Sequence, residues 1–186
     1  RETMQKAWIS GIGGYLPLLR LDRKAAARQL AWSGLPMPRK GSRAVAGWDE
    51  DPLTMAVEAS RGLAGADVEV LRFASTSAYF TDRSQAGIML DALALPRGVR
   101  TLDAANMRRA GTSALLDSLL AGGPQLVAAA EKRRTQAGSA SQLAYGDGAA
   151  AVLTGESGGA RLIGHAALSH DLVDRYTTLD HPTPYA

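Results

Sequence analysis

The sequence has no cysteine among its 186 residues. Disulfides, thiolate metal sites and thiol nucleophiles are therefore excluded on this chain. Aromatic residues are scarce, at 5%, and no basic stripe interleaved with aromatics is present, so nucleic acid is not expected as a partner. No apolar run approaches the ~20 residues that a membrane-crossing helix needs. The opening RETMQKAWISGIG lacks the charged, apolar and small-residue order of a signal peptide, which makes a cytoplasmic location the default expectation. With three histidines, all late in the chain, no metal-ligand spacing is visible and no metal is expected.

What is present is an ordinary globular composition, 46% hydrophobic and 21% charged. Alanine recurs throughout, and there are 20 glycines. Such small residues suit close contact between helices and strands. The length suits one core-forming domain. The formal charge of +3 is dispersed, and its densest basic run is Lys132-Arg133-Arg134. That run reads as a solvated loop after a strand, with a weak attraction for anions as the functional alternative.

Segments 7–12, 68–75, 99–103 and 125–130 are short and mostly apolar, and read as buried strands. The first is expected to turn sharply at Gly13-Gly14, with 16–19 as an extended connector. Asp22 is placed to cap a helix through Ala31. Asp51-Pro52 opens another with Leu53 and Val57 inward. Asp82 opens a third, in which Ala86, Met89 and Leu93 recur on one face. Segment 111–120 reads as a mostly buried helix. Segment 33–50, rich in Pro, Gly and charge, reads as a long loop. Segments 149–153 and 161–164 read as two strands joined in a hairpin by Gly155–Gly159. The alternation through residue 130 implies parallel crossovers, with antiparallel strands added by the hairpin.

Two segments bear on function. In Tyr145-Gly146-Asp147-Gly148-Ala149, two glycines flank an aspartate that can lock a turn through backbone N–H groups. From the residues alone this is a structural turn entering a buried strand. In Asn106-Met107-Arg108-Arg109-Ala110-Gly111-Thr112-Ser113, residues between a strand and an apolar helix meet free N–H groups and the positive dipole end. Such a place holds an anion or lowers a thiol pKa. Here it carries two arginines, which read as solvated or salt-bridged unless an anion lies there. Thr112 and Ser113 offer hydroxyls, but no base for them is identifiable.

Taken in order, GIGGYLPLLRLDR, AVAGWDEDPLTMAVEASRGL, FASTSAYFTD, the Arg108–Ser113 segment and YGDGAAAVL resemble the N-terminal half of the thiolase superfamily, from about Ile9 to Arg175. The nearest branches are the 3-hydroxy-3-methylglutaryl-CoA synthases and β-ketoacyl-ACP synthase III. The resemblance implies an α/β fold: a thiolase-like half, with a mixed five-stranded sheet flanked by helices, over residues 1–186. The second half, absent from this chain, would bring the catalytic His of the family. His165, His170 and His181 fall too early to match it, and read as structural or exposed.

Matching on Ala110-Gly111-Thr112 puts Arg108 at the position of the family's nucleophilic cysteine. Matching on Ala74 to Ala78 puts Thr76 at the position of the synthases' acid/base glutamate. Arginine stays protonated and does not attack a thioester, and threonine is no acid/base at neutral pH. The implied ligand is an acyl thioester of coenzyme A or of acyl-carrier phosphopantetheine, with no covalently bound cofactor. Arg108 and Arg109 are then candidates to hold a carboxylate or thioester oxygen, and Arg133 or Arg134 a CoA phosphate. The implied assembly is a homo- or hetero-oligomer with a thiolase-like or zinc-ribbon/OB-fold partner. The alternatives are a non-catalytic scaffold of a thiolase-like complex, or a piece of a longer protein.

Overall fold

The computed structural model describes residues 7–170 apart from positions 35, 37, 38, 66 and 106. His181, Arg175 and Asn106 lie outside the described residues.

The helices begin where the sequence supplies caps. Asp22 closes the first turn of α1 (Arg23–Gln29), accepting from Ala25 N at 2.7 Å. At α2 (Pro52–Ser60) a reciprocal box forms. Asp51 Oδ1 accepts from Thr54 N, and Thr54 Oγ1 accepts from Asp51 N, each at 2.8 Å. The helix expected from Asp82 starts later, as α3 (Gln85–Ala92) with Ser84 as its cap. Ser84 Oγ accepts from Gly87 N at 3.1 Å, and a strand residue adds to this cap. Asp103 accepts from Gln85 N at 3.1 Å and Ala86 N at 2.8 Å, which occupies the first free amides of α3.

The remaining elements are β1 (Trp8–Tyr15), β2 (Leu19–Asp22), β3 (Ser42–Val45), β4 (Val70–Ser75), β5 (Arg100–Ala105), α4 (Ala110–Ala121), β6 (Gln125–Glu131), α5 (Ala140–Ala144), β7 (Gly148–Gly155) and β8 (Ala160–Arg161). The main sheet is mixed, in the order β5-β4-β6-β7-β1-β8. As expected, β4 runs parallel to β5 and to β6. The other three pairings are antiparallel.

The sheet has six strands, the number read from the apolar runs and one more than the resemblance implies, and the expected β7–β8 hairpin does not form. β1 lies between those strands and pairs with both. The intervening glycines cross β1 closely. Gly159 N donates to Ile9 O at 3.0 Å, and a Cβ on Gly158 would fall 2.1 Å from that same oxygen. Nor does β1 turn at Gly13-Gly14. It runs on to Tyr15, paired with Ala149 to Ala151 of β7. The expected connector and loop also contain structure, because β2 and β3 pair as a separate antiparallel ribbon.

Two layers of helix flank the sheet. Under one face, α2 and α3 pack Leu53, Ala56, Val57 and Met89 against Leu71, Phe73, Leu126 and Ala128. On the other face, Ala110 and Ala114 of α4 pack on Ala74 and Val127. Helix α4 is less buried than expected, with Ala110, Ala114, Ser118 and Leu119 inward. Ile12 of β1 is 74% exposed, and Ala150 of β7 is exposed too.

A cleft at the ends of the parallel strands

Parallel strands deliver their C-terminal ends to one edge of a sheet, and crevices in α/β folds form there. In this chain the register aligns Ser75 of β4 with Ala105 of β5, and Ala74 with Ala129 of β6. Thr76, the connection into α4 and Glu131 therefore meet at one edge. The entry to β7 joins them, because Glu131 pairs with Gly148. The first turn of α4 lies over this edge, where a Cβ on Gly111 would rest 3.4 Å from the Cβ of Ala129. A shallow, open cleft of about 460 Å³ lies beside it, lined by Leu16, Ala129, Ala130, Glu131, Asp147 and Ala149 among others. Its walls are apolar and small, with two carboxylates.

Both carboxylates are anchored. Asp147 is 7% exposed, and its Oδ2 accepts from Ala46 N at 2.8 Å. Its own amide donates to Ala44 O at 3.2 Å. The Gly146–Gly148 connector is thus fastened to the end of β3. Neither glycine there has a positive φ. Gly148 answers to crowding instead, since a Cβ on it would meet Tyr15 O and Leu16 Cδ2 at 3.1 Å. Glu131 accepts from Thr76 N at 2.7 Å, from Thr76 Oγ1 at 2.9 Å and from Ser77 Oγ at 2.8 Å.

Next to Glu131, Lys132 crosses to the β3–α2 loop. Its Nζ donates to Gly47 O at 2.8 Å and to Glu50 O at 2.5 Å. Glu50 accepts from Gly47 N at 2.6 Å and from the Tyr15 hydroxyl. The hydrogen bond from Tyr15, followed by that from Gly47, holds the Glu50 carboxyl below its ordinary value. The same contact pushes the Tyr15 hydroxyl up. The loop is so tied to the strand ends at both β1 and β6.

The arginines stand outside the cleft walls. Arg108 and Arg109 are exposed just before α4, and Arg109 is its N-cap residue without a capping side chain. Arg133 lies over the Tyr145 ring at 4.5 Å, a cation–π contact, and Arg134 is exposed. Thr112 Oγ1 donates to Arg109 O at 3.1 Å, while His165 and His170 are exposed beyond β8. The structure thus brings together Thr76, the segment entering α4 and Gly146–Gly148. It adds Glu131 and the Tyr15–Glu50 pair, which sequence reasoning missed, and it ties Lys132, read as part of a solvated basic run, to the β3–α2 loop. The available signal was a charged residue directly ending the apolar run QLVAAA.

The mixed sheet and its two helical layers form a thiolase-like α/β fold. No family model matches the sequence. Over 120 residues it is 31% identical to the hydroxymethylglutaryl-CoA synthase of Thermococcus gammatolerans, a match covering 61% of this chain and 33% of that protein. The hydroxymethylglutaryl-CoA synthase of Caldivirga maquilingensis is also 31% identical over 120 residues, 59% of this chain and 34% of its own. Among solved structures, MvaS in complex with 3-hydroxy-3-methylglutaryl coenzyme A superposes with a TM-score of 0.81 at 21% identity, over 97% of this chain and 48% of that one. The priming β-ketosynthase of the R1128 polyketide pathway gives a TM-score of 0.69 at 20% identity, over 82% of this chain and 50% of its own. The chain is thus similar in sequence to part of these hydroxymethylglutaryl-CoA synthases and shares the fold of about half of the MvaS chain. It matches about a third of the length of those curated relatives.

Proposed function

We propose that this chain is the acyl-thioester-handling half of a condensing-enzyme homologue that works without a cysteine nucleophile of its own, as a partner or non-canonical subunit. One observation carries the reading. A thiolase-like scaffold keeps its cleft at the strand ends and beside the first turn of α4, while the chain contains no cysteine at all. Position 108 then serves in binding or electrostatic assistance, and position 76 no longer holds the acid/base glutamate. The ligand class is acyl-CoA or acyl-carrier phosphopantetheine. In support, MvaS was solved with 3-hydroxy-3-methylglutaryl coenzyme A, and the curacin synthase with its donor carrier protein in holo and acetyl forms.

Residues 1–186 act in this reading as one half domain, completed by a thiolase-like second half or partner subunit. The exposed Ile12 and Ala150 face supports such a cover. Association through the edge strand β5 is supported by exposed Leu102 and Met107. A small zinc-ribbon/OB-fold protein is a further partner class implied by the resemblance.

Native mass spectrometry of the full-length protein, with and without acetyl-CoA, tests this. An oligomer that gains one non-covalent CoA thioester per site is the expected result. A covalent acetyl adduct would overturn the non-covalent mechanism. Assembly with no CoA gain would move the protein to the scaffold role.

A further inference from the structure

The cleft lies along a seam between two parts of the molecule. Ala44 lines it from the β2–β3 ribbon, and Ala129, Ala130 and Glu131 line it from the main sheet. Among the described residues, none of β2, β3 or the loop 46–50 belongs to either buried apolar cluster. Trp48, on that loop, is 96% exposed. Polar contacts hold the ribbon instead. Arg43 Nη1 donates to Tyr145 O at 2.9 Å, Asp147 joins Ala44 and Ala46, and the Tyr15 hydroxyl donates to Glu50. Lys132 Nζ donates to Gly47 O and Glu50 O. Arg133, next in sequence, lies over the ring of Tyr145. The seam is also imperfect. Arg43 Nε is buried without a hydrogen-bond partner among the described residues, a desolvation cost that the closed arrangement carries and an open one relieves.

Segments with few buried apolar contacts open well below the free energy of global unfolding. We propose that the ribbon and its loop open from the strand ends as a unit while the main sheet stays folded, and that Lys132 and Arg133 are the clasp that sets how often. Helix α2 need not follow, because Asp51 and Thr54 cap it locally. Lys132 is the stronger jaw, with two charge-assisted hydrogen bonds against one cation–π contact. The basic run after β6 then closes the molecule on itself, and each release widens the cleft from its ribbon side. This opening is independent of the ligand that the cleft takes.

The chain has no cysteine, so a single placed thiol reports opening at one position. Ala46→Cys places it under the ribbon, where the residue is 8% exposed. Ser60→Cys places it in α2, fully buried, where the serine hydroxyl has no partner to lose. Labelling of each full-length variant by a thiol reagent tracks the open population when reclosing is fast. Ala46→Cys should react at least about tenfold faster than Ser60→Cys. Adding Lys132→Met should raise the rate at position 46 by about tenfold, the worth of a hydrogen-bonded charge, and leave position 60 unchanged. Adding Arg133→Leu instead should raise it by about threefold. Hydrogen exchange keeps the test open if a cysteine variant does not fold. The Ala46 and Asp147 amides, both donors across the seam, should exchange faster than those of β4 and β6, and about tenfold faster again in Lys132→Met. Equal labelling at positions 46 and 60, or seam amides as protected as those of β4, means that the ribbon opens only on global unfolding and overturns the inference. A Lys132→Met effect that is the same at both positions, or absent at position 46, overturns it as well.

Discussion

Asp147, at the entry to β7, accepts the amide proton of Ala46 through its Oδ2 at 2.8 Å. The bond spans 101 residues of sequence and joins the main sheet to the end of β3. Both residues are buried. Asp147→Ala should leave the Ala46 N–H without a partner and cost about 1–3 kcal/mol. Asp147→Asn keeps an acceptor and should cost less. Urea unfolding reads both variants, and an alanine midpoint equal to wild type would show that water replaces the carboxylate.

Gly13 lets α2 reach β1. A Cβ there would fall 2.0 Å from Ala59 O, a backbone atom that cannot turn aside, whereas at Gly14 the nearest atom is 3.9 Å away. Gly13→Ala should therefore destabilise by roughly 1–3 kcal/mol or more, as overpacking does. Gly14→Ala should stay within roughly 0.5 kcal/mol of wild type. The paired design separates packing from any general effect of strand glycines. A loss at Gly14 as large as that at Gly13 would contradict the packing argument.

The Tyr15–Glu50 contact makes acid stability traceable. The Glu50 carboxyl is held below its ordinary value, first by the Tyr15 hydrogen bond and then by that of Gly47. A depressed carboxyl contributes stability that is present above its ordinary pKa and is lost as pH falls through the depressed value. Melting temperatures between about pH 7 and pH 3 should fall more steeply for wild type than for Tyr15→Phe, with the curves converging in acid. Parallel curves would mean that the pair carries no linked proton.

How far the sequence reveals this arrangement depends on the range of each interaction. The caps at Asp22 and Asp51 are local, one turn in extent, and both form as read. The apolar runs of β4 and β6 are legible because parallel strands buried on both faces are continuously hydrophobic. The start of α3 was misread at Asp82 although Ser84 offers a local cap, accepting from Gly87 N at 3.1 Å, and the two bonds that Asp103 adds from β5 are non-local. The place of β1 between β7 and β8 is equally non-local, and local pairing logic turned those last strands into a hairpin. At the site, the GDG segment was visible as a motif, and Thr76 only through the family resemblance. Glu131 was hidden because its three donors come from another strand end.

The position of Arg108 relative to α4 gives the most direct test of the resemblance at the nucleophile position. The residue lies just before the N-cap, Arg109, and Gly111 of the first turn rests against Ala129 of the cleft wall. A thiol placed at a helix N-terminus has a lowered pKa and more thiolate at neutral pH. On this chain it would be the sole cysteine, so any thiol chemistry is assignable without ambiguity. Arg108→Cys in the full-length protein should gain one acetyl group on incubation with acetyl-CoA, read by intact mass and located by peptide mapping. A cysteine moved to the exposed face of α4, as in Asp117→Cys, should react far more slowly and serves as the reference. Equal acetylation of the two variants would place Arg108 outside the acyl-binding site and break the correspondence with the condensing-enzyme nucleophile.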